Sequence, residues 1–79
     1  MDMKTYEKIY AICINNDVDD CERQLKNTFK NVRFVDEKID DGLDEDEVYL
    51  MMRSFEVDGH YLRLYFCNDD YIVTDFEIK

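Results

Sequence analysis

The sequence predicts an α+β domain: a mainly antiparallel β-sheet in the order β-α-β-β-β-β, with one helix packed on one face. Three observations lead there. Asp58-Gly59 separates two apolar, β-prone runs, a strong short-range hairpin signal. Val18, Cys21, Leu25 and Phe29 recur at helical spacing, the mark of a helix with one apolar stripe. The chain has 79 residues, two Gly and no Pro, which fits a single domain over residues 1–79 with no linker.

The first element spans Lys8 to Ile14. Ile9, Tyr10, Ala11, Ile12, Cys13 and Ile14 are nearly continuous apolar sequence, closed by Asn15-Asn16-Asp17. Such a run suits a strand buried on both faces. Tyr6, Ile9, Tyr10 and Cys13 also fit a helical period, but β-branching at residues 9, 12 and 14 favours the strand. Residues 16–30 follow as the helix. Asn16 or Asp17 caps it. Asp17, Asp19, Asp20 and Glu22 sit at the positive end of its dipole, and Arg23, Lys26 and Lys30 lie toward the negative end.

Val32 to Ile39 reads as the next strand, with Val32 and Phe34 pointing inward. Eight acids and one Lys then fall between Asp36 and Glu47, a run too acidic to bury. Val48 to Ile78 supplies three strands. A two-residue turn at Asp58-Gly59 sets Val57 opposite His60, Phe55 opposite Leu62, Arg53 opposite Leu64 and Met51 opposite Phe66. Alternation puts Tyr49, Met51, Phe55, Val57, Leu62, Leu64 and Phe66 on the core face, with Arg53 out of place among them. Val48, Leu50, Met52, Ser54, Glu56, Tyr61, Arg63 and Tyr65 take the outer face. A three-residue turn at Asn68-Asp69-Asp70 sets Phe66 against Ile72, Leu64 against Thr74, Arg63 against Asp75 and Leu62 against Phe76. An alternative reading makes Asp44–Phe55 a helix, because acids precede Val48, Met51, Met52 and Phe55. That gives a ferredoxin-like β-α-β-α-β-β order.

Composition narrows the function. The net charge is −10, which argues against direct contact with nucleic acid or an anionic membrane and for a basic protein partner. No apolar stretch is long enough for a bilayer, and the N-terminus lacks a signal-peptide pattern. Three Cys at positions 13, 21 and 67 make no disulfide framework. Reduced thiols fit a cytoplasmic protein.

Catalytic and metal motifs are missing. Placing Gly42 sixth in an EF-hand loop puts Ile39 third and Val48 twelfth, so two ligand positions fail. Cys13, Cys21, Cys67 and His60 have zinc-type chemistry but no close pair. His60 is the one His, beside a turn, and Ser54 is the one Ser, without elbow glycines. No glycine loop cradles phosphate. The expectation is a protein that is not an enzyme and carries no cofactor and no metal.

The expected function is therefore that of a small acidic inhibitor occupying the basic nucleic-acid-binding groove of an effector or nuclease by charge mimicry. The residues expected to bind the partner are Asp36, Glu37, Asp40, Asp41, Asp44, Glu45, Asp46 and Glu47, with Asp69 and Asp70 as secondary contacts. In size, acidity and lack of a catalytic signature, the chain resembles the class of small phage-encoded inhibitors, anti-CRISPR proteins and DNA mimics among them. The likeness rests on no aligned motif. Two alternatives stand beside it: an immunity protein or antitoxin against a basic toxin nuclease, and a non-catalytic structural interaction module. Tyr61, Tyr65, Tyr71, Val73 and Met52 are expected on the outer sheet face. There they form an interface, or lie under the N-terminal segment or a homodimer mate.

Overall fold

The computed structural model describes residues 3–39 and 50–79. Two helices, α1 (Met3–Cys13) and α2 (Val18–Thr28), precede four strands: β1 (Val32–Ile39), β2 (Leu50–Val57), β3 (His60–Cys67) and β4 (Val73–Ile78). The strands form one antiparallel sheet in the order β1-β2-β3-β4. The α+β class holds, with a helix pair on one face and a sheet beneath. The acids at 40–47 lie outside the described residues.

The N-terminal run is a helix, not the expected strand. Ile9 and Cys13, one helical turn apart, are fully buried, while Tyr10 is 53% exposed. Burial is thus one-sided, as on an amphipathic helix, whereas a central strand would bury both faces. The β-branching that favoured a strand is a weak preference of a few tenths of a kcal/mol per residue, and one-sided packing overrides it. Asn15, with φ 66°, ends the helix in the left-handed conformation that Asn tolerates. The last carbonyls of α1 are then satisfied locally. Asn16 Nδ2 donates to the Ile12 carbonyl at 2.7 Å. The buried Cys21 thiol lies 3.4 Å from the Cys13 carbonyl and 3.6 Å from that of Ile12. Cys13 and Cys21 are therefore packing residues at a helix corner.

Helix α2 forms as its sequence implies. Asp17 is the N-cap, its carboxylate accepting from the backbone N–H of Asp19 at 2.8 Å and of Asp20 at 3.4 Å. Val18, Cys21 and Leu25 are fully buried. Asp17→Ala should lower stability by about 0.5–2 kcal/mol, read as a lower urea midpoint with an unchanged slope.

The β2–β3 hairpin has the expected register: Val57 faces His60, Phe55 faces Leu62, Arg53 faces Leu64 and Met51 faces Phe66. Asp58 (φ 47°) and Gly59 (φ 87°) both adopt the positive φ that this turn needs. The Asp58 carboxylate also accepts from the Asn31 N–H, and the Asp58 N–H donates to the Asn31 carbonyl, pinning the start of β1. A Cβ added at Gly59 meets nothing within 4 Å, so Gly59→Ala tests backbone strain alone. It should cost about 1–2 kcal/mol in the same urea titration. Leu50 to Phe55 lie in β2, so the ferredoxin-like alternative, which made them helical, does not hold.

The β3–β4 pairing differs from expectation. Leu62 faces Ile78, Arg63 faces Glu77, Leu64 faces Phe76 and Tyr65 faces Asp75, with an irregularity before Phe66 meets Val73. The cause is burial. Val73 is fully buried and Phe76 is 8% exposed. They are three residues apart, so unbroken alternation cannot turn both inward, and a bulge can. Thr74, expected inward, is exposed. The turn is longer than three residues, with Tyr71 at φ 60°, its N–H bonded to the Cys67 carbonyl at 3.0 Å. The backbone bridge from Asp17 to Ile72 ties this turn to the start of α2.

Both helices pack on the core face. Ile9 and Cys13 join Phe55, Val57, Leu62, Leu64 and Phe66 in one buried cluster, and the Tyr6 ring lies 5.1 Å from that of Phe76. Among the described residues, no element covers the opposite face. The N-terminal segment therefore does not cover the tyrosines of the outer face. Two members of that group were misplaced: Val73 is in the core, and Tyr71 packs its ring 5.8 Å from Phe66.

A candidate partner-binding end

The excess charge is segregated. The described residues hold 13 of the 20 acids and all 10 Lys and Arg. Asp2 and the six acids of the β1–β2 connection account for the remaining seven. Pairing of Ile39 with Met51 holds the two ends of that connection side by side at one end of the sheet. The meander brings the β3–β4 turn, with Asp69 and Asp70, to the same end. The Asp17–Ile72 bridge brings the first turn of α2, with Asp17, Asp19 and Asp20. The opposite end holds the Asp58-Gly59 turn, with Lys30, Lys79 and the Arg33–Glu56 ion pair beside it.

The first two acids of the expected site are not free carboxylates. Glu37 accepts from Arg53 at 2.6 Å, and Asp36 lies 3.7 Å from Lys38. Asp69 and Asp70 are exposed, although Asp70 also caps its own turn by accepting from the Ile72 N–H at 2.9 Å. Asp40, Asp41, Asp44, Glu45, Asp46 and Glu47 lie outside the described residues. Sequence reasoning assigned Asp19 and Asp20 to the helix dipole alone. Their place at the acidic end follows from the α2–β4 contact, which no local pattern signals.

Arg53 organises this region. Its side chain is only 13% exposed, and it bonds Asp19 at 2.8 Å, Glu22 at 3.3 Å and Glu37 at 2.6 Å. Its guanidinium also lies 5.6 Å from the centre of the Phe66 ring, a cation–π distance. Burial works against its charge, but the hydrogen bonds it donates to Asp19 and Glu37 outweigh that and raise its pKa. The arginine that looked misplaced on the core face thus ties α2 to β1 across β2. Arg53→Met keeps the stem and leaves three carboxylates facing one another. It should destabilise by about 1–3 kcal/mol, and Arg53→Lys should recover little of that because one ammonium cannot replace the planar fork. Urea unfolding of the two variants checks both statements.

The uncovered sheet face is self-satisfied. The Tyr61 and Ser54 hydroxyls share a hydrogen bond at 2.8 Å, and Arg63 donates to the Tyr61 oxygen at 3.2 Å with its guanidinium 5.6 Å from the Tyr61 ring. The Ser54 hydrogen bond, helped by Arg63, lowers the Tyr61 pKa, whereas the Glu77 carboxylate beside Tyr65 raises that of Tyr65. Ser54 therefore engages Tyr61, while His60 faces Val57 across the hairpin. Among the described residues, no group of three His, Cys, Asp or Glu could hold a metal ion, and no helix is long and apolar enough to cross a membrane.

Fold and charge together define a two-layer α+β domain with Asp17, Asp19, Asp20, Asp69 and Asp70 at the end of the sheet from which the acid-rich connection departs. Comparison with protein-family models, with curated proteins and with solved structures found no match.

Proposed function

We propose that the protein is a small acidic inhibitor that binds the basic nucleic-acid-binding groove of an effector or nuclease through its acidic end. One observation carries this reading: the sheet anchors both ends of the acid-rich connection where Asp69, Asp70 and the first turn of α2 also lie. A paired sheet holds Asp69, Asp70 and the two anchoring strand ends in place, which lowers the entropic cost of binding there. A groove lined with Lys and Arg to accept closely spaced phosphates would accept carboxylates instead. The bound domain then blocks the groove and performs no chemistry. Opposite charge makes association fast and strongly dependent on salt.

The test is direct. The protein is passed over an immobilised panel of basic nucleic-acid-binding effectors and toxin nucleases at several salt concentrations. Specific binding that weakens steeply with salt supports the proposal, and the panel member bound separates an effector inhibitor from an immunity protein. Binding only to neutral or acidic proteins, unaffected by salt, would sink it.

A further inference from the structure

The helix layer does not extend over the whole sheet. Phe34 and Phe55 face each other on β1 and β2, on the same side, with ring centroids 6.0 Å apart. Phe55 is fully buried, whereas Phe34 is 47% exposed. Further along β1, Ile39 faces the half-buried Met51 and is itself 51% exposed. Arg53, reaching from β2 to both α2 and β1, marks where the covering stops. The core face of β1 is thus a partly bare strip beside α2, with Phe34 and Ile39 exposed and Glu37, opposite Arg53, between them. Lone exposed apolar residues are ordinary. Here Phe34 and Ile39 share a strand and a face, next to a finished core.

The strip carries charge at its middle, at Glu37, and along its α2 side. Asp19, Glu22 and Glu37 share the one Arg53 guanidinium, so the bank stays negative even with Lys26 3.1 Å from Glu22. From these features we infer that the β1 strip seats a basic amphipathic helix of the partner. This rests on the proposed function and deepens it by naming the partner's recognition element. The dimensions agree. Phe34 and Ile39 are five residues apart in a bulged strand, roughly 15 Å, or about three turns of helix. A helix lying there would place apolar side chains on Phe34 and Ile39 and Lys or Arg toward Glu37, Asp19 and Glu22. An added strand along β1 is the poorer fit, because the register shift between Phe34 and Asp36 breaks the ladder it would need.

Three synthetic peptides of about 18 residues serve as probes: Leu and Lys patterned at helical period, the same composition scrambled, and oligolysine. Binding to the full-length protein is followed by calorimetry, circular dichroism and amide chemical shifts. The expected result is at least tenfold tighter binding of the patterned peptide than of the scrambled one, with gain of helix. Amide shifts should centre on Phe34, Ile39 and Met51, and the preference should disappear in Phe34→Ser/Ile39→Asn. The shift map decides on the unmodified protein if that variant fails to fold. Equal binding of all three peptides overturns the inference while leaving the charge-based function standing. Gain of strand signal, or shifts centred on Tyr61, Arg63 and Tyr65, also overturns it. No binding by any of the three at low salt overturns both.

Discussion

Phe66→Ala should cost about 3–5 kcal/mol, among the largest effects expected of any single truncation in this chain. Phe66 is fully buried on the core face, packed on Met51, Val73, Tyr71 and the Arg53 guanidinium. A domain of this length has a total stability of roughly 4–12 kcal/mol, so the loss consumes much of it. Phe34→Ala is the matched control. It removes the same atoms from a half-exposed site and should cost about 1 kcal/mol or less. Parallel urea titrations measure both. Equal losses would mean that Phe34 is covered, which would contradict the bare β1 strip.

Neutralising the β1–β2 connection should have the largest effect on binding. Replacing Asp40, Asp41, Asp44, Glu45, Asp46 and Glu47 with Asn or Gln removes six of the 20 acids without touching a described core residue. Association with a basic partner should slow about a hundredfold or more at low salt, the usual span between steered and unsteered encounters. The remaining binding should depend little on salt. Stopped-flow association across ionic strength measures this. Stability should change little, or rise slightly as self-repulsion falls. A control replacing Asp36 with Asn should slow association much less, because Lys38 already offsets that charge.

Much of the architecture was legible in the sequence. Asp58-Gly59 specified its hairpin because positive φ at two successive residues demands that chemistry, and the register of β2 and β3 followed. Helix α2 was legible because its cap, dipole charges and apolar stripe agree. The first helix was not, because a short apolar run with three Ile residues fits both periods and only packing decides between them. The β3–β4 register was missed because a bulge is a compromise between two buried residues, Val73 and Phe76. That compromise leaves no turn-residue signature. Arg53 looked like an error on the core face until α2 and β1 supplied its three carboxylates. The acids of the candidate site were legible as a run. That the strand ends flanking the run lie beside Asp69, Asp70 and the start of α2 is tertiary, and so was not.

Competition with duplex DNA tests the central claim most directly. Once the panel identifies a partner, labelled DNA is bound to it and the protein is titrated in. If the acidic end fills the nucleic-acid groove, the two ligands exclude each other: DNA is fully displaced, and the neutralised connection variant displaces it only at far higher concentration. A stable ternary complex of protein, partner and DNA, undiminished by the six substitutions, would contradict the account.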